Sequence, residues 1–417
     1  KVLINSIKNS FSRDALLGSF LFFLVLSSWY ILRPVRNEMA VANVDELPYL
    51  LAAGAIAMLL VNPFYSWIAS RSNLKKIIIY CYSFLILNLF AFLFYSKSLS
   101  ENNITEAIWL GRIFYVWCNV YSFFVVSIFW VLVINIFRDT KSRKLYGFIM
   151  AGGSLGAIFG SEISVRLSES FTNSGLEFFV LSASILLFCA MIVAIYIANS
   201  NKTSNLSEKI GGKWSDAINN IINTKEIRTI ASYSWLFTLL MTIQWISAIP
   251  IIESYSDLSP QRIELFARIE QLVSPLTLLT QLFLTYIVIA AFGIKLILIV
   301  YGILFVLVFL LYGLVPSVGV VVFAQALLRV FEYGFNKPSR EIIYSELGKK
   351  DRYKSSVFID TFVTRFGDLT GSLIMASGKL LSIALSVMPL LAIPLAGLLS
   401  ITGLKIAKNS SNKVKGP

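Results

Sequence analysis

Not one histidine occurs in the 417 residues of this chain. That absence removes imidazole general bases, histidine metal ligands and histidine proton relays together. No acidic metal cluster and no nucleophile–base pair stands out either, so a membrane enzyme is the least favoured class, and no metal or cofactor is expected. Cysteine is nearly as scarce: Cys81, Cys118 and Cys189 all fall in apolar stretches, where a lone thiol behaves as a small hydrophobe and no disulfide framework is readable. Charge is thin too, at 14% of residues against about 25% in ordinary soluble domains. What fills the space is apolar. The 57% apolar share and mean hydropathy of +0.75 lie above the roughly 45–50% apolar content of soluble chains, which identifies an all-α membrane protein. The sequence opens on Lys1 without a methionine, from which a short preceding leader is expected.

Twelve stretches approach the ~20 apolar residues that cross a bilayer core: 15–40, 47–69, 77–96, 107–137, 147–167 and 177–199, then 229–252, 265–291, 296–315, 318–337, 356–377 and 382–404. Between the sixes runs the polar segment 200–228, with Lys202, Glu208, Lys209, Gly211, Gly212 and Lys213. The predicted plan is a six-helix bundle over 1–199, a linker over 200–228 and a second six-helix bundle over 229–417. Corresponding loops carry corresponding charge: Arg138, Asp139, Lys141, Arg143 and Lys144 join the fourth and fifth stretches, and Lys349, Lys350, Asp351, Arg352 and Lys354 join the tenth and eleventh. Such internal symmetry is expected of a major-facilitator-like fold, whose halves rock about a site near the midplane.

The seven segments on the side of the termini hold 25 Lys and Arg against 8 Asp and Glu, while the six intervening segments hold 3 against 8. Basic residues are retained on the cytoplasmic side, so both termini are expected there, in a bacterial inner membrane. The net charge of +13 is then a product of topology, and nucleic acid is not an expected partner. Single cysteines placed near Asp45 and near Lys141 should label from opposite sides of intact cells; labelling of both from one side would overturn this topology.

Eight basic and seven acidic residues remain within the stretches. Each would cost about 2.5–3.5 kcal/mol at mid-bilayer if it faced lipid alone, so they must pair or line a wet cavity. Arg33 and Arg36 lie at i and i+3 in the first helix, beside Pro34 and ahead of Glu38. Like charges on one face need an outside partner, and a guanidinium grips carboxylate or phosphate in two-pronged fashion, so the pair reads as an anion clamp. The alternative is an interfacial pair with Glu38 as partner. In the tenth and eleventh helices, Arg329, Glu332, Asp360 and Arg365 form a sterically possible four-charge network, read as a latch. Asp368, deeper on the Asp360 face, is the candidate for a substrate cation or a proton, unless Arg365 at i−3 reaches it and makes it structural. Arg112, and Arg268 with Glu270, form an outer gate or cap helix ends, and Glu162 and Arg166 at i, i+4 are read as an interfacial pair. Gly152, Gly156 and Gly160 form a small-residue stripe for close helix packing. Asn119 and Asn135 in the fourth helix, with Gln244 and Trp245 in the seventh, are of the kind that line a cavity.

Three segments carry a resemblance: Tyr30 to Arg36; Phe129-Trp130 followed by Lys144 to Gly156; and Tyr353 to Asp368. Together they resemble the ATP/ADP (nucleotide) carrier family of plastids and intracellular bacteria, most closely its short bacterial branch. The resemblance implies twelve helices of major-facilitator type and exchange of anionic nucleotides. Arg36 falls where those carriers keep a basic residue, which supports the clamp. Cys118 falls where they keep a glutamate, a residue near Gln244 or Trp245 falls where they keep another, and Asp368 falls where they keep a lysine. The resemblance thus implies the fold more strongly than the nucleotide. Substrate contacts are expected from Arg33, Arg36, Cys118, Asn119, Gln244, Trp245 and Asp368.

The expectation is a monomeric secondary transporter, surrounded by membrane lipids, that moves an anionic or zwitterionic small solute by alternating access, with proton coupling through Asp368. The alternatives are a nucleotide exchanger that uses Arg112 or Arg365 for the missing lysine, and a non-transporting sensor or scaffold.

Overall fold

The computed structural model describes residues 13–71, 74–99, 104–136, 146–170, 177–200, 223–345, 356, 358–384 and 387–414. The two basic turns at 138–144 and 349–354 and most of the 200–228 linker lie outside the described residues. The helices are α1 (Arg13–Val41), α2 (Leu47–Arg71), α3 (Leu74–Ser98), α4 (Ile104–Ile136), α5 (Tyr146–Ser170), α6 (Glu177–Ser200), α7 (Lys225–Glu253), α8 (Ser259–Leu279), α9 (Thr285–Leu314), α10 (Val318–Phe331), α11 (Lys337–Ser345), α12 (Thr364–Leu380), α13 (Met388–Leu391) and α14 (Ile393–Val414). Three π-helical turns, Thr280–Leu284, Glu332–Asn336 and Ile359–Val363, lead from α8 to α9, from α10 to α11 and into α12.

Ten helical spans among the described residues are long and apolar enough to cross a membrane. One of them runs over Ser259–Leu314 and is broken at Gly293, whose φ of 72° and ψ of 162° leave the helical region. That φ is open to glycine at little cost. The eleventh stretch, which ends in α12, is not among the ten, because Arg365, Asp368 and Lys379 lie along its 17 residues. The chain is an integral membrane protein.

Contacts divide the chain into two compact units, one of 1–43, 63–209 and 258–275, the other of 44–62, 210–257 and 276–417. These are contact clusters; the division at 1–199, 200–228 and 229–417 is proposed as the repeat plan of the sequence. In the first unit α1 packs on α4, α5 and α6, and α3 packs on α6. In the second, α7 packs on α10, α12 and α14, and α9 packs on α14. Counting helices from the start of each half, the partners correspond: first with fourth, fifth and sixth, and third with sixth. The repeat suggested by the loop charges therefore recurs in the packing inside each unit.

Glycine sets the closest of these contacts in both units. A methyl added at Gly152, Gly156 or Gly160 of α5 would lie 2.2, 2.3 or 2.5 Å from the carbonyl oxygen of Ser19, Phe23 or Ser27 on α1. The Ser27 hydroxyl donates to the Phe23 carbonyl at 2.7 Å, with the Gly156 carbonyl 3.1 Å away, and Ser164 donates to Ile31 at 3.0 Å. On α12, Gly367 and Gly371 stand in the same relation to Trp235 and Leu239 of α7, at 2.6 and 2.8 Å. Small residues allow this backbone approach, and dispersion and short polar contacts hold helices together in lipid, where no hydrophobic force drives them together.

Candidate functional site

The α1 arginines have separate partners. Arg33 Nη1 lies 3.3 Å from Glu270 Oε2 of α8, a carboxylate buried to 3% side-chain exposure. Arg36 points to α4: its Nη2 donates to Asn119 Oδ1 at 2.9 Å and its Nη1 to Asn37 Oδ1 at 3.1 Å. The guanidinium sits over the Tyr115 ring, 4.2 Å from its centre. Among the described residues no carboxylate lies within ion-pair distance of Arg36, and its Nε is buried without a hydrogen-bond partner. The two arginines therefore do not act as one clamp, since Glu270 already neutralises Arg33 and only Arg36 keeps an uncompensated charge.

Glu38, weighed above as a partner of that pair, instead accepts from Arg262, with Nε donating to Oε2 at 2.9 Å, and from the Ser259 hydroxyl at 2.5 Å. Both Glu38 and Arg262 are buried. Arg262 was missed because α8 begins at Ser259, six residues before the apolar stretch at 265. Arg268 does not pair with its neighbour Glu270; it joins Glu264 at 2.7 Å and Glu169 at 3.2 Å on an exposed surface. Arg112 donates to Asn43 at 2.8 Å and lies over the Trp109 ring. Glu162 and Arg166 pair at 2.8 Å, and Glu162 also accepts from Gln271 at 2.6 Å. Cys118 is wholly buried in the apolar core of this unit rather than at an open wall.

In the second unit the expected four-charge network is rebuilt around a residue the sequence reading passed over. Arg340 of α11 donates from Nη2 to Glu332 at 2.8 Å and from Nη1 toward Asp360 at 3.4 Å. Its guanidinium lies over the Phe237 ring at 4.5 Å. The second oxygen of Glu332 accepts from Asn336 at 2.5 Å, and Asn336 accepts from the Tyr233 hydroxyl at 2.8 Å. Arg329 is buried on the same helical run. Arg365 does not reach Glu332 or Asp360. It pairs with Asp368 at 2.8 Å, and Thr242 donates to the other Asp368 oxygen at 3.1 Å. Of the two readings weighed for Asp368, this pairing is the one in which Arg365 reaches it from i−3. The signal that could have exposed Arg340 is its spacing: Glu332, Asn336 and Arg340 recur every four residues, past the point at 337 where the apolar stretch ends.

Gln244 is buried on α7 and donates to the Tyr312 hydroxyl at 2.6 Å, while Gln325 approaches its carbonyl at 3.4 Å. Trp245 follows it, half-buried. These belong to the second unit, and Arg36, Asn119, Arg33 and Arg112 to the first.

No protein-family model matches the sequence, and no curated protein matches it. Solved structures do match by shape. The nucleoside transporter NupG is similar over 95% of this chain and 100% of its own, with TM-score 0.68 and 13% identity. An auto-inhibited POT family peptide transporter is similar over 95% and 97%, with TM-score 0.70 and 11% identity. A bacterial homolog of the human lysosomal transporter Spinster, captured inward-facing and unoccupied, is similar over 95% and 98%, with TM-score 0.59 and 13% identity. The chain thus has a major-facilitator-type fold.

Proposed function

We propose that the protein is a secondary transporter of a small anionic or zwitterionic solute, with Arg36 as the residue that meets the solute's negative group. The observation that carries the reading is the state of Arg36: a guanidinium within a membrane span, oriented by two asparagines and a tyrosine ring, with no carboxylate opposite it among the described residues and one N–H donor unused. Unpaired charge is costly in a bilayer, and a retained one is a functional-site hypothesis by default. The major-facilitator fold, and the fact that the structures it resembles are transporters, support the same reading. The pairing of Asp368 with Arg365 argues against a coupling proton there, so the proposal names no coupling ion.

The test is a thermal-shift screen of purified protein against carboxylates, phosphates, amino acids, nucleosides and cations, followed by uptake into proteoliposomes. A ligand that binds only the folded state raises apparent stability. Stabilisation and saturable uptake are expected for a solute carrying carboxylate or phosphate. Response to cations or uncharged solutes alone would refute the proposal, and a folded protein that binds and moves nothing would be a sensor or scaffold.

ATP and ADP are expected not to be the main substrates. Arg36 alone follows the pattern of the nucleotide carriers, and Arg365, a possible replacement for their lysine, is engaged by Asp368. Proteoliposomes loaded with ADP should show no saturable exchange with external ATP. Exchange that unlabelled nucleotide competes away would establish a nucleotide exchanger.

A further inference from the structure

The second unit contains a cavity of about 580 Å³ between α7, α12 and the α13–α14 region, and its lining includes Trp235, Thr370, Leu373, Ser377, Leu391 and Ala392. It shares no residue with the charged clusters described above. Every wall comes from membrane-spanning helices or from the short connection between α12 and α13. Leu373 and Leu391 are half exposed at its edge, and Leu381 more so. The cavity is therefore open to its surroundings.

Its lining offers water almost nothing. The Trp235 indole N–H donates to Thr370 Oγ1 at 3.0 Å, the Thr370 hydroxyl donates to the Phe366 carbonyl at 2.9 Å, and the Ser377 hydroxyl donates to the Leu373 carbonyl at 2.8 Å. The hydrogen donors of the lining are thus committed within the protein. A cavity water needs two to four polar partners, and an apolar cavity of only ~150 Å³ already stays dry and takes up an apolar guest. At about 580 Å³ this one is nearly four times that size. The medium against the surface of a membrane-spanning helix is hydrocarbon. No charged residue among the described ones lines the space, so nothing there would hold a headgroup.

We propose that this cavity is a lipid site, occupied by one acyl chain of a bilayer phospholipid and selective for the chain rather than the headgroup. Trp235 provides the reporter, because bromine on an acyl chain quenches indole fluorescence only at contact. Purified protein in non-ionic detergent is titrated with phosphatidylcholine brominated at mid-chain, and the Trp235 signal is taken as the difference between wild type and Trp235→Phe. At least half of that signal should be quenched, saturating at one phospholipid per protein. Brominated phosphatidylglycerol should do the same. Ser377→Phe, which puts a phenyl ring into the cavity, should abolish the saturable quenching, whereas Ile303→Phe, which puts a phenyl ring on an exposed apolar face, should leave it intact.

Three results would overturn the proposal: quenching that rises without saturation, quenching unaffected by Ser377→Phe, or a Trp235 emission shifted to that of water-exposed indole. If Ser377→Phe fails to fold, Ser377→Leu gives the same comparison with a smaller side chain.

Discussion

Arg36→Ala is expected to abolish measurable uptake and to weaken solute binding by about tenfold to more than a hundredfold, since a hydrogen bond to a charged group contributes about 1.5–3 kcal/mol and each 1.4 kcal/mol is a factor of ten. Fold stability should change little. The residue has no carboxylate partner to leave stranded, and its donors go to the neutral oxygens of Asn37 and Asn119. Arg36→Lys should recover binding only in part, because an ammonium group keeps the charge but not the planar fork. Asn119→Ala, which frees Nη2 without removing the charge, should reduce affinity less than Arg36→Ala. Binding by calorimetry and uptake in proteoliposomes read the two effects, and a thermal melt checks that each variant is folded. Full transport by folded Arg36→Ala would remove Arg36 from the site.

Arg340→Met should be strongly destabilising, by about 3–5 kcal/mol, the usual cost of taking one partner from a buried ion pair. The loss leaves the Glu332 carboxyl with only Asn336 to answer it, at 9% side-chain exposure. Glu332→Gln with Arg340→Met should recover most of that loss, because the stranded charge is gone, and the double-mutant cycle measures the coupling. Asp360→Asn should cost less than about 1 kcal/mol, as expected of an exposed pair: Asp360 is 42% exposed and sits 3.4 Å from the arginine. Denaturant or thermal midpoints in detergent decide the order. A double variant no more stable than Arg340→Met alone would show that Glu332 is not the group left stranded.

The contrast between the two arginines shows how far the sequence could be read. Arg36 stood out because a charge amid apolar residues is visible locally, and so was the glycine stripe of α5, whose spacing alone implies close packing. Partners were not visible. Arg33 meets Glu270, and Glu38 meets Arg262, across more than two hundred residues of chain, and no local spacing encodes such a meeting. Arg262 and Arg340 were hidden for another reason. Hydropathy marks where the apolar residues stop, but α8 starts before that point and α11 runs beyond it, so each arginine was assigned to a loop while it stands on a helix. The eleventh span shows the opposite case, where its charges lower its hydropathy without preventing the helix. Arg365 and Asp368, three residues apart, were close enough for their pairing to be weighed in advance, and that pairing is what is found.

The carbonyl-to-glycine contacts between α1 and α5 also limit how the molecule can work mechanically. With backbone against backbone at three successive turns, there is no layer of side chains to change rotamer and absorb a shift. The helix that carries Arg36 cannot slide gradually past α5, because an axial step would drive the Ser19, Phe23 and Ser27 carbonyls out of the spaces left at Gly152, Gly156 and Gly160. Packed helices change place in discrete jumps rather than by continuous deformation, and here the smallest jump is a full turn that breaks all three carbonyl contacts at once. The two helices therefore form one lever. Whatever opens and closes access to Arg36 turns this pair as a body or moves the chain beyond Pro34, and a disulfide locking α1 to α5 near Ser19 should leave turnover unimpaired.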